Sequence, residues 1–75
     1  MLNLQDVTKK SVAYLKSYYK RPITQIAIEE IRLDGEVWHV TIGFNVKRHL
    51  ERIYKAIEID ANSGNLISIW HKRLL

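Results

Sequence analysis

The segment DANSG at residues 60–64 concentrates carboxylate, amide and hydroxyl oxygens, the type of ligand that Ca²⁺ prefers. An EF-hand loop also needs Gly at its sixth position and a bidentate Glu at its twelfth. Counted from Asp60, Gly64 is the fifth residue and His71 is the twelfth. The spacing therefore excludes a calcium loop, and we interpret Asp60 and Asn62 as residues that hydrogen-bond the backbone of a turn.

The histidines are the other candidate metal ligands, and they are too scattered for a local metal motif. Only His39 and His71 are placed so that neighbouring strands would bring them together, with Glu58 or Asp60 close by. We favour the interpretation that they are ordinary surface residues, His49 included. The chain has no Cys, and no Ser, Thr or Lys stands beside a base in a recognised catalytic motif. We therefore expect no cofactor, no metal site and no enzymatic activity.

Basic residues group in one connecting segment and at the end of the chain, near the aromatic residues Tyr54 and Trp70. Such a surface suits single-stranded nucleic acid, because bases stack on the rings and phosphates pair with the cations. The formal net charge is only +4, so we favour a solvated loop and tail and keep nucleic-acid binding as the alternative. The candidate contacts are Lys47, Arg48, Arg52, Lys72 and Arg73.

These residues belong to one small domain, residues 1–75. The chain is 47% apolar, too much for disorder, and it is near the lower size limit at which one core is sufficient for stability. Its first ten residues, MLNLQDVTKK, lack the basic-then-apolar pattern of a signal peptide, and no apolar run is long enough to span a bilayer. We expect a cytoplasmic protein without membrane contact.

An amphipathic helix is predicted over residues 4–19, where apolar side chains recur at spacings of three and four. Asn3 is placed to cap its N-terminus, and Pro22 disfavours a helical conformation at Arg21. The rest of the chain alternates as strands do. A change of phase at Glu29-Glu30 predicts a β-bulge, and Asp34-Gly35 predicts a hairpin. The predicted strands cover residues 23–33, 36–46, 53–60 and 66–71.

The predicted fold is α+β, with one N-terminal helix packed on a four-stranded antiparallel meander. One helix covers only one face of a sheet, and an apolar face that is left open in a small sheet usually marks an interface. We therefore expect a homodimer that forms through the sheet. The residues expected on its outer face are Ile57, Ile59, Ile67 and Ile69.

Residues 36–70 resemble the PepSY family and its PepSY-like relatives. The shared pattern is an aromatic strand, WHVTI at 38–42, followed by a strand of the type Y-x-apolar-x-apolar-D, here YKAIEID at 54–60. A Gly-containing turn and the short strand LISI at 66–69 complete it. The resemblance implies a non-catalytic module for protein interaction or assembly, in a family often linked to protease inhibition. Its partner would be another protein, which the sequence does not identify.

Overall fold

One helix is followed by four strands in the computed structural model, which describes residues 1–73. The strands form one sheet in the order β1-β2-β3-β4, and every neighbouring pair is antiparallel. The predicted α+β fold, a helix on a four-stranded antiparallel meander, is confirmed. The elements are α1 (Leu4–Tyr18), β1 (Ile23–Asp34), β2 (Val37–Val46), β3 (Ile53–Asp60) and β4 (Leu66–His71).

Both ends of α1 are set by local residues, as predicted. The Asn3 side chain accepts a hydrogen bond of 2.8 Å from the backbone N–H of Asp6, which satisfies one of the donors left free at a helix N-terminus. At the other end, the extended residue Tyr19 donates its backbone N–H to the carbonyl of Leu15. Pro22 follows and prevents the helix from continuing.

The core lies between α1 and one face of the sheet. Alternate residues of β2, among them Ile42 and Phe44, are fully buried there, and the ring of Tyr19 packs edge-on against that of Phe44 at 5.1 Å. Each such side chain contributes roughly 1.5–3 kcal/mol by leaving water. The helix contributes Val7 and Leu15 to the same cluster. This packing fixes where each end of α1 meets the sheet.

β1 is irregular at two points. One register shift lies between Ile28 and Glu30 and confirms the bulge predicted at Glu29-Glu30. A second shift, between Thr24 and Ala27, was not predicted and contains Gln25 in the left-handed region at φ 51°. The extra residues let Ile28 and Ile31, which have opposite parity, pair with Ile42 and Val40 on the core side.

The turn between β3 and β4 ties the sheet to the helix. The carboxylate of Asp60 accepts the backbone N–H groups of Ser63 and Asn62, at 2.9 and 2.8 Å, and these bonds lower the pKa of Asp60. Gly64 takes a φ of 78°, as its position in the loop predicts, and its carbonyl accepts the hydroxyl of Tyr14 at 2.7 Å. Asp60 and Asn62 are therefore turn residues.

The expectation that Ile57 and Ile59 lie on the outer face of the sheet is wrong. Both are fully buried under α1, because β3 pairs Ile57 with Val40 and Ile59 with Trp38 on the face that the helix covers. Ile69 is half-buried against the same core. Of the four residues proposed for the interface, only Ile67 is exposed, at 53%.

The uncovered face is polar at its centre and carries Tyr54, Ala56 and Trp70 beside the polar residues, so it lacks the continuous row of Ile side chains that was expected there. On β2 it carries the residues that alternate with the core positions. On β3 and β4 it carries Glu58 and Ser68 together with the apolar and aromatic residues just named. The polar side chains of His39, Glu58 and Ser68 contact one another across the strands. The β2 residues on this face are Val37, His39, Thr41, Gly43 and Asn45.

Candidate functional site

The middle of the uncovered face carries His39, Glu58 and Ser68 in hydrogen-bonding contact. The Oγ of Ser68 donates to Glu58 Oε1 at 2.6 Å, and His39 Nδ1 lies 3.1 Å from Glu58 Oε2. A nucleophilic triad needs the imidazole against the hydroxyl, so that it can take the proton. Here the carboxylate lies between them and holds the hydroxyl as a donor. The arrangement cross-links β2, β3 and β4 and does not activate Ser68.

The structure does not bring His39 and His71 together. His39 pairs with Glu58, whereas His71 pairs with Lys55. Glu58 and Lys55 are an odd number of positions apart on β3, so the two histidines lie on opposite faces of the sheet. His49 lies in the connection after β2. Within residues 1–73, no three His, Asp or Glu side chains are close enough to hold a metal ion.

Two of the predicted basic contacts are engaged by neighbours on the uncovered face. Arg52 donates to Asn45 Oδ1 at 2.7 Å and lies 3.9 Å from Glu29. Lys72 donates to the hydroxyl of Thr41 at 3.3 Å and lies 3.8 Å from Glu30. These cations are partly neutralised within the protein. They are poor candidates for binding phosphate groups.

Lys47 and Arg48 instead join the C-terminal end of α1. The backbone N–H of Lys47 donates to the carbonyl of Pro22 at 3.2 Å, which holds the connection between β2 and β3 beside the exit from the helix. Arg21, Lys47 and Arg48 line an open cleft of about 200 Å³. Arg48 is in the left-handed region at φ 70°, so this connection turns sharply at a basic residue.

Two larger clefts adjoin this one and share Arg21 with it. The first, of about 430 Å³, runs along the helix end and over Ile23. The second, of about 390 Å³, has Val46 and Ile53 in its apolar lining, with His49 at its side. Tyr19 and Lys20 line both. We define the cationic cluster as the residues that bring a positive charge to these clefts: Lys16, Lys20, Arg21, Lys47 and Arg48.

The cationic cluster carries most of the excess charge of the molecule. Among residues 1–73, the Lys and Arg side chains that lie within 4 Å of a carboxylate are Arg32, Arg52 and Lys72, and no member of the cluster is among them. Its five formal charges exceed the net +4 of the whole chain. A concave surface with one sign of charge concentrates the field and attracts anions.

The aromatic ring that lines these clefts, that of Tyr19, is already packed, whereas the neighbouring Tyr18 is 57% exposed and lies outside their lining. Tyr19 is held edge-on between Tyr18, at 5.3 Å, and the core residue Phe44. Burial, followed by the neighbouring Tyr18, raises the pKa of Tyr19, so its hydroxyl stays neutral at physiological pH. Lys55 Nζ lies 5.3 Å from the centre of the Tyr18 ring, within the range of a cation–π contact.

The predicted basic set therefore divides into separate parts. Lys47 and Arg48 belong to the cationic cluster, Arg52 and Lys72 belong to the polar face, and Arg73 is exposed beyond the end of β4. The predicted set omits the three helix-end cations. Their concentration before Pro22 was the available signal, although positive charge is also favourable at any helix C-terminus and so does not by itself indicate a site. The members that were missed are Lys16, Lys20 and Arg21.

The fold and the cluster define the protein as a small α+β module with a strongly basic end. In comparisons with known proteins, no family model, no curated protein and no solved structure matches the chain. Among the described residues, α1 is the only helix, and it is neither long enough nor apolar enough to cross a membrane.

Proposed function

We propose that the protein is a non-catalytic protein-interaction module that binds an acidic segment of a partner at the cationic cluster. The observation that carries this proposal is the set of five cations around open clefts, none with a carboxylate of the described chain within 4 Å. Cations that are not paired internally keep their full attraction for an external anion. Charge complementarity of this kind speeds association and selects the partner.

The lining of the clefts favours a polypeptide over nucleic acid. Sequence-tolerant binding of single strands depends on ring faces that are free for stacking, whereas the Tyr ring that lines the clefts, that of Tyr19, packs on Phe44. Beneath the charges lie aliphatic side chains, including Val46 and Ile53. A segment that combines Glu or Asp with one or two apolar residues would match both parts of this surface.

An interaction role is also what the resemblance to PepSY-like domains implies, and that resemblance stays a prediction. The contacts of Ser68 support the non-catalytic part of the proposal, because its hydroxyl is bonded to Glu58 and has no imidazole in position to deprotonate it. A cytoplasmic location belongs to the same proposal.

Fluorescence anisotropy with three labelled probes tests this function. The probes are a peptide rich in Glu and Asp with Leu and Phe, the same peptide with Gln and Asn replacing the acids, and a single-stranded RNA of equal charge. We expect the acidic peptide to bind with a Kd on the order of 10 μM at low salt and to weaken as salt is added. The amide peptide should not bind.

Two outcomes would contradict the proposal. Absence of saturation by the acidic peptide up to about 200 μM protein, well above the expected Kd, would remove it. Tighter, steeply salt-dependent binding of the RNA would replace it with the nucleic-acid alternative, because release of counterions from phosphates gives that dependence.

A further inference from the structure

The two edges of the sheet are unlike in chemistry. The β1 edge carries Glu29, Glu30 and Arg32 and is interrupted by two register shifts, features that protect an edge from pairing with another chain. β4 has one register shift, at Ile67, and residues 68–71 pair with β3 without interruption. On the β4 edge, residues 66–70 read LISIW, with no charge, Pro or Gly. Ile67 and Trp70 are 53% and 50% exposed. Short uncharged segments of high β-propensity such as this one readily pair with a further strand.

The backbone of β4 has hydrogen-bonding groups available for such a strand. Lys72 donates its backbone N–H to the carbonyl of Tyr54, and the register continues with His71 opposite Lys55. Because hydrogen-bonded and non-hydrogen-bonded pairs alternate in an antiparallel ladder, the N–H and C=O groups of Ile69 and His71 point away from β3. They lie along the same edge as the exposed Ile67 and Trp70 side chains.

We propose that β4 pairs antiparallel with β4 of a second copy and forms a closed two-fold dimer with one continuous eight-stranded sheet. The added strand belongs to a second copy of this chain because the charges that flank LISIW have opposite signs. Antiparallel pairing brings the positive charge of one copy toward the negative charge of the other. The exposed Arg73 follows the segment, and Asp60 precedes it. Antiparallel pairing directs the basic end of each β4 toward the Asp60 turn of the other copy.

Parallel pairing would place Arg73 of the two copies side by side, and like charges in that position repel. The antiparallel dimer also carries its two cationic clusters at opposite ends, since β4 runs toward the end of the molecule at which Tyr54 and Lys55 lie. Such a dimer would present two binding surfaces facing away from each other.

The dimer interface uses none of the residues of the proposed acidic-segment site. The dimer and the acidic-segment site can therefore each be disproved without affecting the other.

Sedimentation velocity tests the interface with a matched pair of variants. Ile67→Lys places a charge on the β4 edge, and Leu33→Lys makes the same change at a residue of β1 that is 42% exposed. At about 50 μM we expect the native chain and Leu33→Lys to sediment as dimers, and Ile67→Lys to sediment as a folded monomer. Circular dichroism confirms that each variant is folded.

A native chain that is monomeric at about 200 μM would overturn the proposal, and so would an Ile67→Lys variant that remains dimeric. Monomeric Leu33→Lys together with dimeric Ile67→Lys would move the interface to β1. A series of larger oligomers would contradict the closed two-fold arrangement, which stops at two copies.

The strand direction is tested by spin labelling, which the absence of Cys from the chain makes specific. A spin label attached at Arg73→Cys is four residues from Ile69, and Ile69 is the residue expected near the two-fold axis. Antiparallel pairing then separates the two labelled backbone positions by roughly 26 Å, whereas parallel pairing separates them by about 5 Å. A resolved distance of the first kind supports the dimer, and strong short-range broadening would overturn it.

Discussion

An Ile57→Lys variant is expected to be unfolded at 25 °C. Ile57 is fully buried, with Val40 and Ile69 as its partners on the two neighbouring strands. Removing its packing costs about 2–5 kcal/mol, and an ammonium group without a partner in the same place costs several kcal/mol more. A small domain has about 5 kcal/mol of total stability at the lower end of the usual range. Circular dichroism should show loss of the cooperative thermal transition.

The same substitution at Ile67 provides the control. Because that side chain is exposed, its replacement by Lys should change the free energy of unfolding of the monomer by about 0.5 kcal/mol or less. The comparison is made at about 1 μM protein, where self-association contributes little to apparent stability. A native-like melting temperature for Ile57→Lys would contradict the fold, because it would place Ile57 outside the core and restore an apolar outer face.

Reversing two charges of the cationic cluster is expected to have the largest effect on binding. In the double variant Arg21→Glu/Lys47→Glu, two attractions for an acidic segment become repulsions beside the clefts that these residues line. At about 1 kcal/mol or more for each reversal, the affinity for the acidic peptide should fall by about 30-fold or more. The fold should persist, because only the backbone N–H of Lys47 bonds to Pro22. Anisotropy measures the loss.

The matched control is Lys9→Glu/Arg32→Glu. It changes the net charge by the same amount at two exposed residues outside the clefts, and its affinity for the peptide should fall by less than about threefold. An equal loss in both double variants would mean that net charge alone attracts the peptide. In that case the cluster would not be a site.

The elements were predictable because their signals are local. The cap at Asn3, the stop at Pro22, the hairpin at Asp34-Gly35 and the positive φ of Gly64 each depend on a few adjacent residues. The bulge near Glu29-Glu30 was visible as a change of phase in the alternation. The second irregularity, at Gln25, left no such mark, because the residues around it alternate too little to define a phase.

The placement of Ile57 and Ile59 required non-local information. Alternation shows that they share one face of β3, and only the pairing with β2 shows that this face is the one under the helix. On β2 the apolar series ending in Phe44 and Val46 contrasts with a polar series on the other side. Combining that contrast with an antiparallel register would have assigned the buried face correctly.

The location of the basic side chains likewise required non-local information. Arg52 and Lys72 are partly neutralised by Glu29 and Glu30, which belong to β1, a distant part of the chain. Their ion pairs depend on the order of the strands, which brings β1 beside β2. The cationic cluster depends likewise on the bond between Lys47 and Pro22, which joins two segments that are far apart in sequence. The composition predicted that the protein has a basic surface, but it did not predict where on the molecule that surface lies.

The measurement that most directly tests binding at the cationic cluster is a titration of ¹⁵N-labelled protein with the acidic peptide, followed by amide chemical shifts. We predict that the largest shifts fall at residues 16–23 and 46–49, the segments that contain most of the residues lining the clefts. Shifts centred instead on His39, Glu58 and Lys72 would show that the peptide binds the polar face of the sheet, and they would contradict the proposed site.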